Sequence, residues 1–180
     1  MIDETRIITQ LKDKSQREKA FNTLVHEYQE ILYWHIRRLV ITHDDADDVL
    51  QNTFIKAWMA LDEFRAESKI STWLFRIAIN ESLSFLEKKK RSTDIISGTD
   101  DYLRNQLLAD PYFDGDETQA LLLEAINQLP EKQKAVFNLK YFQEMKYEDM
   151  SQIMGTSIGA LKASYHHAVK KITDFFQQND

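Results

Sequence analysis

The sequence predicts an all-α protein, two small helical domains joined by an acidic linker, the second a helix-turn-helix. Three observations carry that reading. Only four glycines and two prolines occur in 180 residues, and none falls in the first 97. Apolar residues recur at helical spacing, and no sustained period-two alternation argues for a sheet. Charge is unevenly placed: basic and acidic residues balance at 15 each from Met1 to Arg91 and at seven each from Thr118 to Asp180. Between them, residues 92–117 set Arg104 against Asp94, Asp100, Asp101, Asp110, Asp114, Asp116 and Glu117, so the whole net charge of -6 sits there. Gly98, Gly115 and Pro111 fall in the same segment, which has the composition of a linker. The domains are then 1–91 and 118–180, each neutral overall and free to carry a local basic face.

Composition also excludes. A hydrophobic content of 43% suffices for two cores. Without cysteine there is neither a disulfide framework nor a thiolate metal site. The amino terminus lacks the apolar stretch of a signal peptide and no run reaches membrane-spanning length, so a cytoplasmic protein without direct membrane insertion is expected. No glycine-rich phosphate loop or nucleophile motif is present, and His26, His35 and His43 lack ligand spacing. No enzyme activity, cofactor or metal is expected.

In the first domain Phe21, Leu24, Val25, Tyr28, Ile31, Leu32, Ile36 and Leu39 mark the apolar stripe of a long helix. Asp44 or Asp45 in "ITHDDADD" is placed to cap the next one, Asp45–Trp58, and to favour its positive end. Crowding at that helix start explains Asp44, Asp45, Asp47 and Asp48 better than a metal site does, since no calcium-loop spacing accompanies them. The buried face of this helix is predicted as Ala46, Val49, Leu50, Thr53, Phe54, Ala57, Trp58 and Leu61. Asp48, Gln51, Asn52, Ile55 and Lys56 lie opposite. Ile55 on that polar side suits a partner surface, although a lone exposed isoleucine is also ordinary.

Ser71 or Thr72 can cap a further helix running from Trp73 to about Arg91, with Leu74, Ile77, Ala78 and Phe85 inward. Trp73, Arg76, Asn80, Ser84, Lys88 and Arg91 form a polar and basic track on another side. An aromatic at one end and cations at the other suit single-stranded nucleic acid, where rings stack on bases and ammonium groups hold phosphates. The same residues also fit a core tryptophan followed by cations at a helix carboxyl end.

In the second domain Pro130 takes a first-turn position of a helix whose apolar material is Leu129, Val136, Phe137, Leu139 and Tyr141. "KYEDMSQIM" is the first helix of the hairpin, with Met150, Ile153 and Met154 inward and small Ser151 at the helix crossing. Gly155 permits a left-handed turn, Ser157 can cap, and Ile158, Leu161, Tyr165 and Ala168 continue the apolar face. The outward face offers Ser157, Ala160, Lys162, Ala163, Ser164, His166, His167 and Lys170. It has no arginine for bidentate guanine reading, yet serine and lysine can bond base edges and alanine can touch a thymine methyl. Adjacent His166 and His167 point about 100 degrees apart and make a poor metal pair.

Together, "DADDVLQNTFIKAW", "STWLFRIAINESLSFLEKKKR" and "LPEKQKAVFNLKYFQEMKYEDMSQIMGTSIGALKASYHHAVKKI" resemble regions 2.2, 2.3–2.4 and 4 of the extracytoplasmic-function (ECF, group four) sigma factors of bacterial RNA polymerase. The resemblance spans residues 20 to 175 in the family's order. It implies a sigma factor that binds core RNA polymerase, recognises the -35 and -10 promoter elements, promotes strand opening and directs transcription initiation. By that resemblance Asp47, Asp48, Gln51, Asn52, Ile55 and Lys56 would dock on the polymerase's largest subunit. The loop Phe64–Ile70 (Phe64, Arg65, Ser68 and Lys69) and the track Trp73, Arg76, Asn80, Ser84, Lys88 and Arg91 would take the non-template strand of the -10 element. The outward face of the last helix would read the -35 element. The linker would thread towards the active centre and RNA exit path, in contact with the two large subunits. A membrane-anchored anti-sigma factor is the implied regulatory partner. Many members carry Asp where this chain has Ser84, and arginines at Ser164, His167 and Val169. A stand-alone helix-turn-helix transcriptional regulator is the rival reading; it leaves the Trp73–Arg91 helix and the docking helix unexplained.

Overall fold

The structure, a computed structural model, describes residues 3–92, 100–111, 113 and 115–179. Among them are nine α-helices and no strand, so the all-α expectation holds. The helices are α1 Glu4–Lys12, α2 Arg17–Val40, α3 His43–Met59, α4 Ile70–Ser92, α5 Asp100–Ala109, α6 Glu117–Asn127, α7 Glu131–Tyr141, α8 Tyr147–Met154 and α9 Ile158–Gln178, with a 3-10 turn at Leu61–Glu63. They fall into two compact units. The first contains α1 to α3, most of α4 and Ser151–Gly155 at the end of α8; the second contains the end of α4, α5, α6, α7, the start of α8 and α9. No described helix is long and apolar enough to cross a membrane.

The first unit is organised by the α2–α3 hairpin, onto which α1 packs. Leu24, Leu32, Ile36 and Leu39 of α2, Ala46, Val49 and Ala57 of α3, and Ile70, Leu74, Ala78 and Ile79 of α4 are all buried. Each such leucine or isoleucine contributes about 1.5–3 kcal/mol by leaving water. Two apolar predictions fail: Ile31 is exposed, and Trp58, expected in the core, keeps 42% of its surface in solvent. Trp58 sets its ring edge against Phe21, with centroids 5.0 Å apart, which leaves the rest of the indole outside.

Two caps also differ from expectation. The α3 cap is Thr42, whose hydroxyl accepts from Asp45 N at 3.3 Å. Asp44 and Asp45 occupy the first turn, where they favour the helix dipole without capping it. Helix α4 begins at Ile70, so Ser71 and Thr72 lie inside its first turn. Burial accompanies the earlier start: Ile70 and Thr72 are both enclosed.

In the second unit α9 packs on α6 and α7 around Ala125, Ile126, Leu129, Phe137, Ala168 and Ile172. Pro130 is the residue before α7 rather than in its first turn. The acidic segment is not wholly irregular. Helix α5 occupies 100–109, packs on α6, buries Leu107, and brings Arg104 Nε to 3.9 Å from the nearly enclosed Glu124 carboxylate. The remainder of the predicted linker includes 93–99, 112 and 114, which lie outside the described residues.

Each unit buries an ionisable group that its sequence reads as unremarkable. In the first, His35 is fully enclosed, makes no hydrogen bond and meets the Phe75 ring edge-on at 5.1 Å. Desolvation, then the nearby Arg38 charge, push its pKa down to about 3, so it is neutral. In the second, Lys134 is enclosed and donates to Asn127 Oδ1 at 2.7 Å. Desolvation brings its ammonium down to about 8 while Glu131 pulls it back up.

Candidate nucleic-acid interface

Three surfaces gather the predicted site residues. On α3, Asp48, Gln51, Asn52, Ile55 and Lys56 are exposed and Asp47 is half-buried. Asp48, Gln51, Asn52 and Ile55 follow the i, i+3, i+4, i+7 spacing of one helix face. Two of the six are not free charges. Asp47 Oδ2 lies 3.4 Å from His43 Nε2, and the Lys56 ammonium is ion-paired with Glu81 of α4. The sequence reading missed that the apolar patch is larger than Ile55. Ile55 (56% exposed) is continued by Met59 (75%) and Trp58, four and three positions on. The i, i+4 spacing of Ile55 and Met59 was the available signal.

The second surface begins in the loop after α3. Ala66 holds φ at 59°, a left-handed backbone that a residue with a Cβ adopts at a cost of about 1–2 kcal/mol. Strain of this kind concentrates where a loop serves a ligand. Arg65 and Lys69 are exposed and Ser68 is half-buried. Phe64 behaves otherwise: it is only 8% exposed, and its ring lies 4.8 Å from that of Trp73, centroid to centroid. Phe64 therefore braces Trp73 rather than presenting a face of its own.

From Trp73 the track climbs α4 on one side: Trp73 and Arg76 half-buried, then Asn80, Ser84, Lys88 and Arg91 exposed. The interior side of the same helix buries Ile70, Leu74, Phe75, Ala78, Ile79 and Ser82, the last bonded to Ala78 O at 2.8 Å. Trp73 has one side packed and one side open, and the cations do stand in the last turn.

The third surface is α9. Gly155 takes φ +60 and its N–H closes on Ser151 O at 3.0 Å, while Ser157 caps α9 by accepting from Ala160 N at 3.3 Å. Leu161 and Ala168 are buried; Ala160, Lys162, Ala163, His166, His167 and Lys170 are exposed and Ser164 is half-buried. The His166 and His167 rings stand 6.0 Å apart at 63°, not arranged to share a metal. The sequence reading also missed Tyr147, whose ring carries the ammonium groups of Lys140 at 4.9 Å and Lys162 at 5.7 Å.

Residues 24–92 match the family model for sigma-70 region 2, and residues 119–172 match that for sigma-70 region 4. The chain belongs to the sigma-70 family. It is 31% identical to the ECF RNA polymerase sigma-E factor of Haemophilus influenzae, with 89% of both chains covered. Against the RNA polymerase sigma-H factor of Pseudomonas aeruginosa it is also 31% identical, with 93% of both covered. A solved structure of the sigma factor RpoE with the anti-sigma factor NepR, from Bartonella quintana, superposes with a TM-score of 0.73 at 26% identity, over 88% of this chain and 98% of that one. The structure of CnrH with the cytosolic domain of CnrY, at 21% identity, shares the fold with a TM-score of 0.73 over 98% and 99% of the two chains. These likenesses make it an RNA polymerase sigma factor of the ECF type, a class of transcription initiation factors, and they disfavour the stand-alone regulator.

Proposed function

We propose a division of labour among the three surfaces of this sigma factor. The α3 face, Asp47, Asp48, Gln51, Asn52, Ile55 and Lys56 with Met59 added, docks on the largest polymerase subunit. The 64–70 loop and the α4 track capture the opened non-template strand of the -10 element. The α9 face reads the -35 element from the major groove. Domain 1–91 thus holds the polymerase and the -10 strand, 92–117 is the acidic linker running towards the active centre, and 118–180 holds the -35 reader. Each site works in the cytoplasm with polymerase and chromosome, without a cofactor. An anti-sigma factor is the regulatory partner, a reading supported by the RpoE–NepR pair. It predicts a bound protein that competes with core polymerase when the chain is purified from its host.

The observation that carries the reading is the α4 track, where a braced, half-open indole at one end and exposed cations at the other share one face. Such a surface suits an unstacked base and a phosphate chain better than a duplex. Holoenzyme assembled from two kinds of variant tests it. Asp48→Arg with Ile55→Glu should retain its helix content and lose affinity for core polymerase. Asn80→Ala should assemble normally and bind a pre-melted promoter bubble about 2- to 13-fold more weakly, the worth of one hydrogen bond. Trp73→Ala should lose about 5- to 150-fold on the same bubble. Wild-type core affinity in the double variant would remove the docking assignment, and unchanged bubble affinity for both α4 variants would remove strand capture.

A further inference from the structure

The α9 face must discriminate bases without an arginine, and its exposed cation near the start of the helix, Lys162, is a flexible point charge. A four-carbon stem in solvent loses rotamer freedom when it settles on a base edge, which weakens and blurs the contact. The structure answers that difficulty outside the recognition helix. Tyr147 opens α8, and two ammonium groups lie close to its ring. Lys140 Nζ of α7 lies 4.9 Å from the ring centroid and Lys162 Nζ of α9 lies 5.7 Å from it. Both distances fall within reach of a cation–π attraction.

The two lysines are not equivalent. Lys140 is half-buried and its ammonium also donates to the Met145 carbonyl at 3.1 Å, in the loop that carries the chain from α7 into α8. That loop is tightly set: Glu144 takes φ at 49° and Met145 N–H closes on Leu139 O at 3.1 Å. Lys140 therefore ties the turn to the ring, while the exposed Lys162 has the ring as its resting place.

We propose that Tyr147 is a specificity-determining positioning residue. It holds the Lys162 ammonium in a restricted arc at the start of α9, with Lys140 as its brace, so that a lone lysine reads particular -35 positions. The ring restricts the stem before DNA arrives, which lowers the ordering cost on binding. The phenol hydroxyl is not required, because the attraction comes from the ring face. This inference rests on the assignment of α9 to the -35 element.

The test is holoenzyme binding to a library with every -35 position randomised, using the full chain carrying Lys162→Ala, Tyr147→Leu, Tyr147→Phe or Lys140→Met. Lys162→Ala defines which positions the lysine reads. Tyr147→Leu should lower preference at those same positions by about two- to fivefold, with no change in salt dependence, because the charge is kept. Tyr147→Phe should restore the wild-type profile. Lys140→Met keeps the ring without its brace and should shift the same positions less; it decides the matter if Tyr147→Leu fails to fold. A wild-type profile for Tyr147→Leu, or for Lys140→Met in its place, beside an altered one for Lys162→Ala overturns the positioning role and leaves the groove assignment standing. A wild-type profile for Lys162→Ala removes the groove role of that lysine, and the inference with it.

Discussion

Helices α4 and α9 each present a long face to solvent, but what stands behind them differs. Behind α4 lies an apolar wall, Ile70, Leu74, Ala78 and Ile79, into which α2 inserts the neutral ring of His35 against Phe75. Behind α9 the wall is shared with α7, whose interior includes a protonated lysine held by Asn127. The proposed strand-capturing helix thus rests near a buried neutral imidazole, and the proposed groove reader near a buried ammonium. Both units should gain stability as pH rises, each in its own window.

The largest expected effect is at the acid side. With its folded pKa near 3 and an unfolded value of 6.5, His35 contributes stability that is complete above 6.5 and is lost as pH falls towards 3. Between pH 7 and pH 4 the first unit should lose about 3 kcal/mol from this group alone. All three tryptophans, Trp34, Trp58 and Trp73, lie in that unit, so urea unfolding followed by tryptophan fluorescence reads it selectively. In His35→Leu the acid loss should shrink by that amount. Equal acid sensitivity in the two proteins would show that the imidazole is not the cause.

A smaller effect of the same sign should appear on the alkaline side. Lys134 has a folded pKa near 8 and an unfolded value of 10.5, so the unfolded chain binds more protons in that window and stability rises with pH. From pH 8 to pH 10 the gain should be about 2 kcal/mol, read by circular dichroism of the unfolding transition that tryptophan fluorescence does not follow. Lys134→Met should abolish the rise. A rise that persists in that variant would assign it to another group.

The smallest effect separates the two faces in function. Lys170 stands near the middle of α9, exposed, two turns beyond Lys162. Lys170→Ala should weaken holoenzyme binding to all -35 sequences alike. Removing one ammonium from one phosphate should also reduce the log–log salt slope by about 0.9. An altered sequence preference, with the slope intact, would make Lys170 a base reader instead.

What the sequence made legible followed from backbone chemistry. Gly155 and Ser157 announced the turn and the cap because few other residues can do either job. The α4 track was legible because Trp73, Arg76, Asn80, Ser84 and Lys88 keep helical spacing. Tertiary burial hid the rest. Ile70 extends α4 backwards past two good capping residues because the core takes it. Thr42 was hidden because it stands beside Asp44 and Asp45, two equally good capping candidates. Tyr147 was invisible as a positioning group, since its partners come from α7 and α9 and no local pattern joins them. Helix α5 was masked by an acidic composition that also suits an irregular tether.

That last helix changes how far the tether can reach. Ten residues wound as α5 span about 15 Å at 1.5 Å each. The same ten residues drawn out span about 33–36 Å. Unwinding α5 would therefore release roughly 20 Å of extra line, at the expense of the Leu107 and Arg104 contacts with the second unit. The segment carries its slack as a folded coil, held in part by buried Leu107 and by Arg104, and the proposed tether has in it a ready source of length.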